Sequence, residues 1–349
     1  MEQAAVRLGE RSRLPYLDIL RAGATYLVVL LHCISPYIGA AQLFGHKSWW
    51  LCNILSAFVR MGVPLFFMIS GYLLLSDPRT LQIKSFYKNR FGKLVLPFLV
   101  WDVAYYLFNS LVQERPLSLL TFFQELLNQG SHYHLWFLYQ LAGIYLLTPF
   151  LKRIVDSCTK KQLFLLLIII LMPVTFFRLF NLVAQPYLQI QIWDVLVEGY
   201  VGFFLLGYLL GAISCSAQAR GWIYLGGIAG LVLGVVGNYL CSSPEDMVLY
   251  FNAGYAINHY LTSAAAFVLV KYLPQTLQHR LERLAAPIAH MSLGIYFIHP
   301  MVLAVVAWLV ETASPALNVL LWFPLCAVGS TVAVWVIDRI KWLRKLLLS

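Results

Sequence analysis

Two residues suited to chemistry, Arg21 and His32, lie eleven positions apart in the first apolar segment of the chain, residues 17–39. A histidine, whose ordinary pKa is about 6.5, can take a proton at neutral pH, and an arginine can bind an anion. Eleven steps of about 100° make three turns plus about 20°, so both side chains point to one face of a helix. Roughly 16 Å separates them along that face, about half the thickness of a bilayer core. The pair predicts a polar stripe from the membrane surface toward its midplane.

This placement favours a function for the pair. A central arginine costs about 2.5–3.5 kcal/mol on insertion scales, so ionisable residues in a span usually face the bundle interior and mark a site. Two structural alternatives stay open. Arg21 lies one turn inside the segment and could reach the lipid headgroups, and His32 could be a neutral histidine bonded to a neighbouring helix.

Further cations lie in the next two apolar segments. Arg60 falls near mid-depth of residues 50–75, where it could neutralise an anionic group or pair with a carboxylate. Lys88, Arg90 and Lys93 open the third segment and, with Arg21, could form a basic mouth that binds phosphate. Ordinary anchoring of a cytoplasmic loop would produce the same cluster.

The remaining candidates are histidines, an aromatic residue and an acid near the outer ends or centres of later segments. His134 and Trp136 could form a platform that stacks on a sugar ring, or could belong to an interfacial aromatic belt. His299 lies near mid-depth of the ninth segment, and Glu198 near the outer end of the sixth. Each of these residues alone is more often a hydrogen-bonded bridge between helices.

The composition identifies the elements that must carry these residues. Of 349 residues, 60% are apolar and only 11% are charged, with a mean hydropathy of +0.75. Soluble domains carry about 25% charge, so we expect one membrane domain over residues 1–349, an all-α, polytopic transmembrane helical bundle. Its ten expected spans lie near 17–39, 50–75, 92–112, 133–151, 162–180, 193–213, 220–240, 248–272, 287–310 and 316–338.

The distribution of charge predicts the orientation. Most of the 25 lysines and arginines fall in alternate connections and in the two terminal segments, whereas Lys47, Arg115 and Arg178 lie in the other connections. The positive-inside rule therefore places both termini in the cytoplasm. The net charge of +10 is explained by these membrane-flanking loops, so we expect the lipid bilayer and no nucleic acid as a partner. The six cysteines show no metal-ligand spacing, so no metal site is expected.

Two local features refine this picture. Residues 117–127 form an amphipathic run that could lie on the outer surface as a short helix. Prolines inside expected spans predict kinks, and Ser70 and Gly71 suit close helix packing. These prolines are Pro64, Pro97, Pro173 and Pro324.

Taken in order, these motifs resemble the membrane acyltransferase type 3 family. The likeness covers residues 14–339 approximately. It rests on the Arg21 and His32 spacing, the segments 64–71 and 134–137, the basic pair at the third span and the segment 294–299. The resemblance implies a bacterial inner-membrane enzyme that uses cytoplasmic acetyl-CoA and a lipid-linked or growing glycan. Within the family, the chain is most similar to O-acetyltransferases of surface polysaccharides, including the one that acts on enterobacterial common antigen.

The resemblance also implies roles for individual residues. It gives Arg21 and His32 an essential role and gives Arg90 and Lys93 a role in donor binding. The family often has Arg-x-x-Arg at the latter positions, and Lys93 keeps the charge without the bidentate fork.

The required chemistry extends these assignments. Acyl transfer to a hydroxyl needs a base, for which His32 is the candidate, although an acetyl-histidine intermediate would use it as well. Arg60 is the candidate to stabilise the thioester oxygen. The candidates to hold the phosphates of the coenzyme are Arg21, Lys88, Arg90 and Lys93. The residues expected to bind the acceptor substrate are His134, Trp136, His299 and Glu198.

A competing hypothesis is a transporter or flippase that uses the buried histidine and arginine as a proton relay or anion site. The chain lacks an internal repeat, which counts against the common transporter folds. A sensory or scaffolding role would need an output module that the sequence does not contain.

Overall fold

The structure is a computed structural model that describes residues 14–184, 200–248 and 250–348. This part of the chain is helical and contains no β-strand. In chain order its α-helices are α1 (Pro15–Ile38), α2 (Lys47–Val59), α3 (Gly62–Leu75), α4 (Ile83–Val112), α5 (Leu119–Leu127), α6 (Trp136–Ser157), α7 (Lys160–Leu171), α8 (Arg178–Ala184), α9 (Tyr200–Ala212), α10 (Ala217–Cys241), α11 (Ile257–Lys271), α12 (Gln275–Leu309), α13 (Pro315–Arg339) and α14 (Lys341–Leu347).

Within the described ranges, six helical stretches are long and apolar enough to cross a membrane. They are α1, α2 together with α3, α4, α10, α12 and α13. These six coincide with expected spans, which confirms an all-helical, multi-pass membrane protein. The other four expected spans coincide with α6, with α7 and α8 together, with α9 and with α11. It stays a prediction that these helices also cross the membrane.

The expected span 50–75 is not one continuous helix. Helix α2 ends at Val59 and α3 begins at Gly62, which leaves Arg60 and Met61 at the junction. The break follows from Pro64, which has no N–H to donate to the carbonyl of Arg60 but fits well in the first turn of a helix. Pro64 therefore lies in the first turn of α3, directly after the break, whereas Pro97 and Pro324 lie inside α4 and α13.

Helix α1 lies at the centre of the part that carries the candidate residues. It packs most extensively against α12 and also against α2, α3 and α13. Its buried side has small or branched residues at helical spacing, including Ala24, Val28 and Cys33. Helix α1 thereby presents Arg21 and His32 to its neighbours.

Helices α3 and α9 approach so closely that their backbones touch. A Cβ atom on Gly71 would lie 1.8 Å from the carbonyl oxygen of Phe204, and one on Gly207 would lie 2.1 Å from that of Met68. Small residues allow such contact in membranes, where no hydrophobic force holds helices together. The expectation that Gly71 serves close packing is confirmed.

The amphipathic run at residues 117–127 is helical, as expected. Helix α5 begins after Ser118, whose Oγ accepts the N–H of Thr121 at 3.3 Å. An ion pair of 3.0 Å joins Glu125 on α5 to Arg115. The apolar side chains of α5, among them Leu119 and Leu127, are exposed. Its position on the outer membrane surface stays a prediction.

We expect Gly207→Ala to destabilise the protein by about 2 kcal/mol or more, because the added methyl group forces two backbones apart. Thermal unfolding in detergent measures the effect. Gly143→Ala on α6 is the matched control, since a Cβ there meets nothing within 4 Å, and it should leave the protein as stable or slightly more stable. Equal melting temperatures for Gly207→Ala and the wild type would contradict the close contact.

Candidate active site

A hydrogen-bonded pair of histidines joins α1 to α12. Nδ1 of His32 lies 2.5 Å from Nε2 of His299. The two rings are nearly parallel, with 4.8 Å between their centroids and 5° between their planes. The structure thus brings together two candidate residues that lie far apart in the sequence.

Helix α12 determines the tautomer of His299. In a regular helix the carbonyl of Tyr296 would accept the N–H of residue 300, but Pro300 has none. This carbonyl is left for a side chain, and Nδ1 of His299 lies 2.8 Å from it. Nδ1 also lies 3.1 Å from the carbonyl of Ile295. Because carbonyl oxygens only accept, Nδ1 of His299 carries the proton and Nε2 has the lone pair.

The position of the proton on the His32 ring follows from its position on the His299 ring. Since Nε2 of His299 accepts, Nδ1 of His32 must donate, and neutral His32 has its lone pair on Nε2. His32 is partly exposed, whereas His299 is fully buried. The ring of His32 can therefore offer a basic nitrogen to a substrate.

The position of His299 differs from the predicted contact with the substrate. Both of its ring nitrogens are bonded within the protein, and its side chain has no exposed surface. In this structure His299 thus has no ring nitrogen left to bond an acceptor, and its contact with the substrate stays a prediction.

A second pair of histidines lies beside the first. Nδ1 of His132 and Nδ1 of His134 are 3.0 Å apart, in the connection between α5 and α6. Burial lowers the pKa of His132 to about 4. The ring of His132 is then neutral at physiological pH, and one of the two Nδ1 atoms donates to the other. His134 is buried, and its Nε2 has no partner in the described part of the chain.

A buried carboxylate holds this connection in place. Asp102 on α4 accepts the N–H of Ser131 at 2.7 Å and its hydroxyl at 3.1 Å. The preceding Gly130 has φ of +95° and packs against Asp102, a conformation that glycine adopts without strain. Asp102 therefore fixes the start of the segment that carries the two histidines.

Tyrosines surround both histidine pairs. Tyr133 is exposed and meets the His32 ring edge-on, with 5.1 Å between centroids. Tyr105 contacts His132 and His134, at 4.4 and 4.8 Å between centroids. The hydroxyl of Tyr296 donates to the carbonyl of His134. No sequence pattern singles out Tyr105 or Asp102. Tyr133 lies between two histidines, a signal that could have drawn attention to it.

Arg60 is held at the junction of α2 and α3 by a polar network. Its Nε donates to Ser56 at 2.9 Å, and its guanidinium donates to the carbonyl of Asn252 at 2.5 Å. Asn252 in turn accepts hydrogen bonds from Ser56 and from Asn238 on α10. Arg60 is thus a cation with a fixed orientation, and it has further N–H groups to offer.

Three adjoining cavities lie where α1 and α4 begin and α13 ends. The central cavity, of about 230 Å³, is lined by the cations Arg21, Arg90 and Lys93 and by the aromatic residues Phe137 and Tyr296. One flanking cavity, of about 400 Å³, shares Arg90 and Lys93, and the other, of about 530 Å³, shares Arg21 and Lys93. The structure therefore brings together three of the four cations of the expected basic mouth.

Lys88 does not join this mouth. It is exposed, and it is not among the residues that line the three cavities. Because Lys88 precedes Arg90 by only two positions, it lies on a different face of α4.

The central cavity connects the two parts of the site. Tyr296 lines the cavity and also contacts the rings of His134 and His299. Arg21 and His32 are roughly 16 Å apart along α1 by the rise of the helix. Tyr296 thus links the cavity that holds the basic mouth to the two histidine pairs.

The last two sequence candidates are less informative. The ring of Trp136 packs on Tyr200 with 5.4 Å between centroids and is partly buried. Glu198 lies outside the described residues. Among the described residues, no group of three or more potential ligands has the geometry to hold a metal ion, despite the four nearby histidines.

We expect Asp102→Ala to lower the free energy of unfolding by about 2–3 kcal/mol, because Ser131 loses the acceptor for its buried N–H. Asp102→Asn keeps one acceptor oxygen and should lose less. Denaturation in detergent checks this order, with the exposed Glu245→Ala as control. Full stability of Asp102→Ala would show that the segment does not depend on this carboxylate.

Comparisons with known proteins agree with this architecture. The model of an acyltransferase domain family matches residues 14–339. A serine/alanine racemase of Enterococcus gallinarum is 31% identical over 152 residues, which are 40% of this chain and 20% of the racemase. The chain thus spans about a fifth of the length of this curated relative, and the racemase activity in its name belongs to that protein. No solved structure matches the chain significantly.

Proposed function

The chain belongs to the membrane acyltransferase type 3 family, and from this premise we propose that it transfers an acetyl group from acetyl-CoA to a hydroxyl of a cell-surface polysaccharide or lipid-linked glycan. Family membership and the apolar helices make it a multi-pass membrane acyltransferase. The proposal adds the donor, the acceptor and a bacterial inner membrane as its location, with the basic mouth toward the cytoplasm. A relation to the enzyme that acts on enterobacterial common antigen belongs to the same proposal.

The observation that carries the proposal is the hydrogen bond from His32 to His299. Acyl transfer from a thioester to a hydroxyl needs a base that is neutral and oriented before the substrate arrives. The chain of bonds from the Tyr296 carbonyl through His299 leaves the lone pair of His32 on Nε2. Unlike the hydrogen bonds of a catalytic triad, this series of hydrogen bonds ends on a neutral carbonyl and not on a carboxylate.

In the proposed reaction, Nε2 of His32 takes the proton of the acceptor hydroxyl. The oxygen then attacks the carbonyl carbon of the thioester, so that a C–O bond forms and the C–S bond breaks. The proton passes from His32 to the thiolate, which leaves as the free thiol of the coenzyme. His32 returns to its initial state without any net change.

Arg60 is proposed to stabilise the negative oxygen of the tetrahedral intermediate. Two of its five N–H groups are used by Ser56 and Asn252, which fix the orientation of the guanidinium. A preorganised donor in a site that excludes water is worth more than the same donor in solution. The junction between α2 and α3 is therefore proposed to be part of the active site.

The donor is proposed to enter at the basic mouth. Arg21, Arg90 and Lys93 line the central cavity, and charge-assisted hydrogen bonds suit the diphosphate of the coenzyme. The narrow pantetheine arm would then extend along the central cavity toward Tyr296 and the histidine pair. This arrangement brings the thioester toward His32 while the charged nucleotide stays at the mouth.

The acceptor is proposed to reach His32 beside Tyr133. Tyr133 is exposed and adjacent to the His32 ring, whereas His134 is buried below it. An exposed aromatic ring is a suitable surface on which a sugar can stack. We therefore transfer the predicted sugar contact from His134 to Tyr133.

We expect His32→Ala to lower acetyl transfer by about 100-fold or more, which is the range for loss of a general base. His299→Gln, whose side-chain oxygen can still accept from His32, should keep more activity than His299→Leu. The measurement is transfer from labelled acetyl-CoA to glycan, quantified by mass spectrometry at matched membrane expression. His279→Ala, exposed near the start of α12, is the control and should transfer normally.

The outcomes separate the alternatives. Full transfer by His32→Ala would overturn the catalytic assignment and leave the family intact. Failure of the wild type to transfer acetyl to any glycan, with no binding of acetyl-CoA, would favour the transporter or flippase. Equal loss in His299→Gln and His299→Leu would contradict the proposed orientation of His32 through a hydrogen bond.

A further inference from the structure

Helix α14 forms one wall of the largest of the three cavities. This cavity, of about 530 Å³, has the size of a small-molecule site and is lined by Arg21, Lys93 and Arg344. Asp338 also lines it and lies 3.9 Å from His290, another lining residue. Three cations thus face one carboxylate, which favours an anionic ligand. The family match ends at residue 339, so family membership assigns no role to Arg344.

The position of Arg344 is fixed by the residues that follow it. The indole N–H of Trp101 on α4 donates to the carbonyl of Leu347 at 3.1 Å. The side chain of Leu348 packs so closely on α12 that a Cβ on Gly294 would lie 2.5 Å from it. These contacts anchor α14 against the bundle, so that Arg344 is held at the cavity although its side chain is exposed.

The shape of the proposed donor selects between the two flanking cavities. Its diphosphate carries the pantetheine arm, so it belongs at the mouth of the central cavity, where the arm enters. The phosphate on the 3′ position of the ribose is one sugar ring farther from the arm and would fall in a flanking cavity. In the smaller one, Arg79 is already paired with Asp77 at 3.1 Å. The larger one offers Arg344, whose planar fork suits a phosphate monoester.

We propose that Arg344 on α14 binds the ribose 3′-phosphate of the donor and so makes the enzyme selective for coenzyme A thioesters. The inference rests on the proposed function, since it assumes a coenzyme A donor. A thioester carried by the phosphopantetheine arm of a carrier protein lacks this phosphate. Arg344 therefore discriminates between two donors that present the same acyl group on the same arm.

The test is a cycle of two proteins and two ligands. Purified full-length wild type and Arg344→Ala are titrated calorimetrically with acetyl-CoA and with 3′-dephospho-acetyl-CoA. We expect the wild type to bind acetyl-CoA about tenfold or more tightly than the dephospho analogue, as for a charge-assisted phosphate contact. Arg344→Ala should bind both ligands with nearly the affinity that the wild type has for the analogue.

The control is Lys345→Ala, which removes an exposed cation from the same helix but does not line the cavity. It should discriminate between the ligands as the wild type does. If Arg344→Ala weakens both ligands by the same factor, Arg344 binds another phosphate or supports the fold, and the inference is overturned. Unchanged affinities in Arg344→Ala overturn it as well and point to a lipid headgroup at this arginine. If the wild type binds neither ligand, the proposed function itself fails.

Discussion

The candidate active site depends on one backbone carbonyl that the helix cannot use. Pro300 supplies no N–H to the carbonyl of Tyr296, and this oxygen becomes the acceptor for Nδ1 of His299. Nε2 of His299 is thereby free to accept from His32, whose Nε2 is left as a base. A proline that would only bend a helix elsewhere here determines the protonation of two residues in the centre of the bundle. The packing of α1 on α12 is the other requirement, since it brings the two rings together.

Around this bond the structure separates the charged residues from the histidines of the candidate active site. Cations gather where α1 and α4 begin and α13 ends, and histidines and tyrosines gather toward the other ends of α1 and α12. Tyr296 lines the central cavity and also contacts the rings of His134 and His299. Such an arrangement suits a donor with a highly charged head and a slender neutral arm. It also explains why an arginine near the start of α1 and a histidine near its end occur on the same helix.

The sequence predicted the fold class and most of these residues because both depend on local patterns. Apolar runs identify helices, and the spacing of Arg21 and His32 places them on one face of α1. The pairing of His32 with His299 could not be predicted, since it depends on how α1 and α12 pack across 267 positions of sequence. Asp102 resembled any polar residue in a helix until its contact with Ser131 was known. The break at Arg60 could have been predicted, because Pro64 removes the hydrogen bond that would carry a helix through that residue.

The contact between α3 and α9 limits how this protein can vary. Gly71 and Gly207 each face a main-chain carbonyl of the other helix, and glycine is already the smallest residue. A larger residue at one position therefore has no compensating change at the other, unlike a pair of core side chains that can exchange volume. Neither glycine can therefore be replaced during evolution while the two helices keep this contact. A descendant of this chain that loses one of the two glycines must separate α9 from α3. Because α3 carries Phe66 and Ser70, which line the central cavity, that separation also changes the cavity.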